Sequence, residues 1–324
     1  MGAVEGYIDN TSNDDLSNVK VTLLETGVYK DHDYTDGNGY FKVEYPDFFF
    51  EPIYVVLKCE KHGYRTKYVG TTIEPFITTR EDVTLNFKRA LIVGISDYKV
   101  VSDLEYCDED ATDWYNFLDS KGYDCKVLGD GHTGNYPRHD AKATEANYNS
   151  YLEDLIDVAY SGDSIIFTTS GHGDYQGVVF YWINAWDSCS GESGEDGNLT
   201  NIELGAIFNG LRDGANAFVF IDHCYSGGMG PNLMYTDNGD QIYCTTTCTE
   251  DGHGYDDDGY DNGLWTYYFL DFSWQQEYGG NPGYSLETIF DYANGEEYQD
   301  EPQTEYPDDE PQEFDGNPSY SFYI

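Results

Sequence analysis

Beyond Arg212 the sequence contains no lysine or arginine, and its 324 residues set 16 basic side chains against 61 acidic ones, a formal charge of −45. Such a surface repels phosphates, which excludes nucleic acid and anionic membrane surfaces as partners. Long apolar runs are missing as well, so no membrane span is expected. The first residues, MGAVEGYIDN, lack a basic start followed by an apolar stretch, and no signal peptide is expected there. The cysteines number seven, an odd and irregularly spaced set that does not frame a disulfide scaffold. Cys244 and Cys248 in CTTTC lack the matching second pair of a structural zinc site. What is present belongs to a folded chain: 39% hydrophobic and 17% aromatic residues are too much for a disordered acidic polymer. The acidic surplus fits adaptation to high salt or use of divalent cations, and composition does not separate the two.

Two patterns divide the chain. Residues 1–87 carry short segments rich in β-branched and aromatic residues, VEGYI, VKVTLLE, GYFKVEY and PIYVVLKCE, with Asp-Gly and Asn-Gly turn signals in DYTDGNGY. A small β-sandwich is predicted. Through GYI, NVKVTLLE, TDGNGYFKV and KHGYRTKYV it resembles the prealbumin-like domain called carboxypeptidase regulatory-like, which implies a spacer or binding module. From 88 to 324, the apolar strands of KRALIVGI, YDCKVLGD, DSIIFTTSGHG and ANAFVFIDHCYSGG alternate with helical stretches. One of these brings Ala111, Trp114, Phe117 and Leu118 to one face, closed by Gly122. The alternation predicts an α/β domain with a mostly parallel sheet flanked by helices. The acidic segment 294–318 reads as largely loop or disordered, and the terminal SFYI as a closing strand.

In an open α/β sheet, ligands bind beyond the carboxyl ends of the strands, and two predicted strands end in reactive text. IIFTTSGHG presents His172 between Gly171 and Gly173; FVFIDHCYSGG presents Cys224 next to Asp222, His223 and two glycines. A thiolate nucleophile needs a base for its proton, and an imidazole from a neighbouring strand end can supply it. The N–H groups of Gly173 and Cys224 could hold the oxyanion of a tetrahedral intermediate. His223 alternates with Cys224 on the strand and is directed to the other side of the sheet.

Read together and in order, ALIVGI, LEYCDEDA, SGHG, DHCYSGG, GLWTYYFL and PQEFDGNP make residues 88–324 resemble the caspase-like cysteine peptidases, nearest in motif the metacaspases. The resemblance implies a Cys224–His172 dyad. It also implies an acidic pocket, for the residue before the scissile bond, formed by Asp110, Asp222, Ser170 and Cys107. Carboxylates at the floor of a cleft favour Arg, and Lys second, through charge-assisted hydrogen bonds. Cleavage of protein or peptide substrates after exposed Arg or Lys is therefore expected. Calcium is the cofactor implied. Asp187 falls near one expected ligand position, and the other candidates are Glu192, Glu195, Asp196, Asp237, Asp240, Asp256 and Asp258, without a complete EF-hand loop among them.

One departure from the family bears on regulation. Many metacaspases cut themselves after a basic residue in the region that here spans about 228–239, which contains none, so an active single chain is expected, with Arg80 or Lys88/Arg89 the only plausible cuts near the domain boundary. Two other readings stay open: a legumain-like or clostripain-like peptidase with another preference, and a noncatalytic surface protein using the fold as a scaffold. The sandwich type and calcium favour the cell exterior, whereas the missing signal and a free nucleophilic thiol favour the interior. The oligomeric state is left open.

Overall fold

The computed structural model describes residues 2–10, 14–190, 195–300, 306 and 308–324, with the side chains of 298–300 excepted. The chain divides into two compact units, Met1–Lys88 with Gly122–Asp124, and Arg89–Lys121 with Cys125–Ile324. Among the described residues no helix is long and apolar enough to cross a membrane.

The first unit is all-β. Strands β1 (Ala3–Asn10), β2 (Lys20–Glu25), β3 (Val28–Tyr34), β4 (Tyr40–Glu44), β5 (Ile53–Glu60), β6 (Lys67–Ile73), β7 (Thr78–Arg80) and β8 (Val83–Leu85) form two sheets. One runs β3-β2-β5-β6, and in the other β1 pairs with β4, β7 and β8. Alternation buries Val21 and Leu23 of β2, Val55 and Leu57 of β5, and Phe41 and Val43 of β4. The Asp-Gly-Asn-Gly turn forms, with Asp36 Oδ1 accepting from the N–H groups of Asn38 (2.8 Å) and Tyr40 (3.0 Å). It joins strands of different sheets rather than closing a hairpin. Gly39 there has φ 77°, and a Cβ would stand 2.4 Å from the Ile8 carbonyl oxygen.

The second unit holds a seven-stranded sheet in the order β11-β10-β9-β12-β16-β17-β20, with β9 Lys88–Gly94, β10 Asp124–Gly129, β11 Ala141–Lys142, β12 Ser164–Ser170, β16 Asn216–Asp222, β17 Ile242–Thr246 and β20 Gln312–Asp315. A small side sheet joins β13 (Gly173–Gln176), β14 (Phe180–Asn184) and β15 (Asn198–Thr200). β10/β11, β12/β16 and β16/β17 pair in parallel, while β20 runs antiparallel to β17 and makes the main sheet mixed.

Helices α1 (Cys107–Ser120), α2 (Glu145–Asp157), α3 (Asn201–Phe208), α4 (Gly230–Met234), α5 (Leu264–Thr266) and α6 (Leu286–Asp300) flank these strands, and α5 continues over Tyr267–Glu277 in a wider winding. Trp114 of α1 packs on Phe220 of β16 (4.9 Å between ring centroids), and Trp265 of α5 stacks on the same Phe220. Tyr148 of α2 meets Phe167 of β12 edge-on. Thr168 pairs with Phe220 and Phe167 with Val219, so the α1 and α2 packings lie on opposite faces of the sheet.

Two expectations at the C-terminus are corrected. Residues 294–300 continue α6 instead of forming a loop, because Ile289, Phe290 and Ala293 give the helix a buried stripe. The closing strand is Gln312–Asp315, not SFYI, whose Phe322 is instead buried against the Tyr243 ring. Between β16 and β17 the chain is ordered by α4 and two short turns, and Gly228, Gly230, Leu233 and Gly239 are buried within it.

Candidate active site

Strand register sets the site. Ser170 is paired with Asp222, so His172 and Cys224 each lie two residues past the carboxyl ends of adjacent parallel strands. Both line one cavity of about 260 Å³, together with Cys107, Ser170, Asp222, Gly254 and Asp256. Tyr225, directly after Cys224, is held at φ 59°, a left-handed conformation that costs about 1–3 kcal/mol in a non-glycine residue. Gly173 abuts the Cys224 segment so closely that a Cβ would stand 2.2 Å from the Cys224 carbonyl oxygen.

The imidazole is oriented by backbone. His172 Nε2 lies 2.9 Å from the Ser102 carbonyl oxygen, the His172 backbone N–H donates to Tyr98 Oη (2.7 Å), and the Tyr98 ring packs against the imidazole at 5.0 Å. Cys224 Sγ donates to the Gly254 carbonyl (3.7 Å), and burial pushes its thiol up. His223 goes to the opposite face, where Nε2 meets Thr169 Oγ1 at 2.9 Å and Tyr148 Oη reaches the same hydroxyl. Burial holds His223 down at about 3, so it is neutral.

On the α1 face the acidic candidates converge. Asp110 is fully buried; Ser170 Oγ donates to its Oδ2 (2.5 Å) and the Gly263 N–H to its Oδ1 (2.9 Å). Asp222 Oδ2 accepts from Thr266 N–H (3.0 Å) and Oγ1 (2.8 Å). A Cβ on Gly263 would stand 2.8 Å from Asp110 Oδ2 and 2.7 Å from Asp222 Oδ2, so only glycine lets the two carboxyl groups share that space. Burial, then the Asp222 charge, drives Asp110 well above the usual carboxylate range, and burial raises Asp222 to about 6. Burial likewise raises the Cys107 thiol well above its ordinary value.

The calcium candidates separate. Asp187 is buried, its Oδ1 accepting from Glu145 N–H (3.3 Å), and Glu145 Oε2 accepts from the N–H groups of Asp196 (2.9 Å), Gly197 (2.6 Å) and Asn198 (3.1 Å). Burial, and then the neighbouring Glu195 carboxyl, raise Glu145 to about 7. Glu145 thus meets Asp187, Glu195 and the backbone of Asp196, although in the sequence it looks like an ordinary acid in a helix first turn. Glu192 lies outside the described residues. Asp237 and Asp240 are exposed, and exposed Asp258 accepts from Tyr106 Oη (3.1 Å). Asp256 is drawn into the cavity that holds Cys224 and His172, its Oδ2 accepting from the N–H groups of Glu105 (3.2 Å) and Tyr106 (3.4 Å).

Unforeseen in the sequence, Asp97, buried Asp130 and His132 bring one ligand atom each within 4.8 Å of one another beyond β9 and β10, and could chelate a metal ion. The thiols of Cys244 and Cys248 are free, and Cys248 Sγ donates to the His223 carbonyl.

No curated protein matches the chain significantly. Among solved structures it is similar to caspase-1 from Spodoptera frugiperda, with TM-score 0.50 and 10% identity over 72% of this chain and 88% of that one. It is also similar to a protein from Geobacter sulfurreducens, with TM-score 0.48 and 18% identity over 70% of this chain and 92% of that one. Residues 88–231, which include both His172 and Cys224, match the family described as metacaspase, peptidase C14 domain. Over that segment, less than half of the chain, the protein is similar to the metacaspase peptidase family.

Proposed function

We propose that the protein is a cysteine endopeptidase that cleaves after Arg, and less readily after Lys, through Cys224 and His172, and that it is active as a single chain. The observation carrying this reading is one cavity lined by a thiol, an imidazole and Asp222, with Asp110 held behind Ser170. The Ser102 carbonyl can only accept, so His172 Nε2 bears hydrogen and Nδ1 is the free base. Nδ1 takes the Cys224 proton as the thiolate attacks the substrate carbonyl carbon. The Gly173 and Cys224 N–H groups hold the oxyanion, and the imidazolium protonates the leaving amine. Water, deprotonated by the same nitrogen, then hydrolyses the thioester. Asp222 and Asp110 receive the basic side chain between Ser170 and Cys107. The N-terminal unit serves as a spacer or binding module.

Peptides identical except for Arg, Lys, Asn or Asp before the cleaved bond test the reading. Arg should be cleaved fastest, Lys second, and Asn and Asp not measurably. Preference for Asn or Asp would replace the specificity, and no cleavage of any would point to a noncatalytic scaffold.

Calcium fits the carboxylates around Asp187. Asp187 Oδ1 accepts from the Glu145 N–H, and a divalent cation would offset the repulsion between the Glu145 and Glu195 carboxyl groups. Bound there, calcium would supply positive charge between the Glu145 and Glu195 carboxyl groups. Chelation should lower peptidase activity several-fold, calcium should restore it, and Asp187→Ala should remove the response. Activity indifferent to complete chelation would refute the dependence.

A further inference from the structure

The hairpin β13–β14 leaves the site from Gly173, and at its tip Val178, Val179 and Phe180 are 86%, 60% and 47% exposed. Three consecutive exposed apolar residues on so acidic a chain mark a binding surface. Val178 and Val179 line a second cavity of about 350 Å³ with Tyr181, Gly228, Phe314 and Glu250. Gly228 lies four residues beyond Cys224, and a Cβ there would fall 2.1 Å from the Tyr181 ring. Tyr175 of β13 packs on Tyr225 (4.6 Å) and stacks with Tyr181 (6.3 Å). A row of rings therefore runs from the residue after the nucleophile to the wall of this cavity. The segments bearing His172 and Cys224 both continue into it, yet it shares no lining residue with the acidic cavity.

Building on the peptidase reading, we propose that this cavity is a subsite for the leaving-group side of the substrate, taking an apolar side chain within the first few residues after the scissile bond. A substrate whose basic side chain sits at Asp222 and whose carbonyl faces Cys224 must pass its leaving amine by His172. The chain beyond then follows the hairpin that starts there. Glu250 in the wall selects against acidic residues.

The test pairs a short Arg substrate carrying a coumarin leaving group, which has no residue after the bond, with peptides extended after Arg by Leu-, Phe- or Asp-containing segments. The wild-type protein should prefer Leu or Phe over Asp by at least roughly tenfold in kcat/KM, the scale of one apolar pocket contact. Val179→Lys, which replaces an apolar wall with a charge that attracts Asp, should erase that preference while hydrolysing the short substrate at the wild-type rate, and Val178→Lys, at a more exposed position, provides a second variant with little risk to folding. Equal cleavage of the Leu and Asp peptides by wild type, or an unchanged preference in both variants, overturns the subsite. Failure of the wild-type protein on the short substrate overturns the peptidase reading itself.

Discussion

Cys224→Ala is expected to abolish peptide hydrolysis, a loss on the order of 10⁴-fold or more, because the other cavity thiol, Cys107, is buried and raised well above its ordinary value and the Ser170 hydroxyl is bonded to Asp110. His172→Ala should cost roughly 10²–10⁴-fold, the range for losing one positioned acid–base group. The two losses should not add, since thiol and imidazole act as a unit. Alkylation of Cys224 by iodoacetamide gives a readout beyond activity. Burial raises the isolated thiol, so the His172→Ala protein should react only as the pH climbs above the ordinary thiol range, whereas the wild-type thiol should react at lower pH. Residual peptidase activity in purified Cys224→Ala protein would sink the assignment.

The second large effect concerns the pocket floor. Asp222→Asn keeps an oxygen to accept from Thr266 N–H and Oγ1, so the fold should survive while the charge is lost. Leaving a buried basic side chain without its partner costs about 3–5 kcal/mol, or roughly 10²–10³-fold or more in kcat/KM for Arg peptides. Wild-type activity should show the same dependence through protons. Asp222 is raised to about 6, so the pocket is charged above that pH, and kcat/KM for Arg and Lys peptides should fall as the pH drops through it. Protonated Asp110 must also release its proton to pair with a guanidinium, which makes binding itself proton-releasing. Undiminished cleavage after Arg by the Asp222→Asn protein would show that the preference lies elsewhere. An unchanged melting temperature and iodoacetamide reactivity would separate that outcome from misfolding.

Much of this site is readable from strand arithmetic. Continuous apolar runs imply buried strands, and parity along FVFIDHC directs Asp222 and Cys224 one way and His223 the other, as the Thr169 hydrogen bond bears out. Motif order brings Asp110 to the start of the helix facing them. The Ser102 carbonyl leaves no trace in the sequence, since a backbone oxygen is the same whatever side chain it carries. Glu145 is concealed for another reason: acids are common in a helix first turn, and only the fold of 196–198 shows three N–H groups converging on it. Asp256 sits in a run of three aspartates that offers calcium candidates, but the hydrogen bonds from Glu105 and Tyr106 draw it into the cavity. The all-β unit is legible as strands, while the pairing of β4 with β1 instead of β3 depends on contacts distant in sequence.

The segment joining β16 to β17 carries no Lys or Arg, and its glycines and Leu233 are packed inside the fold. A peptidase limited to basic residues would find no recognised bond there, even around the exposed Tyr235, Asp237 and Asp240. Activation of such an enzyme could not be a one-way commitment made by cutting this segment. It would follow the occupancy of reversible ligands and protons, and withdrawal of the signal would return every molecule, intact, to the resting state.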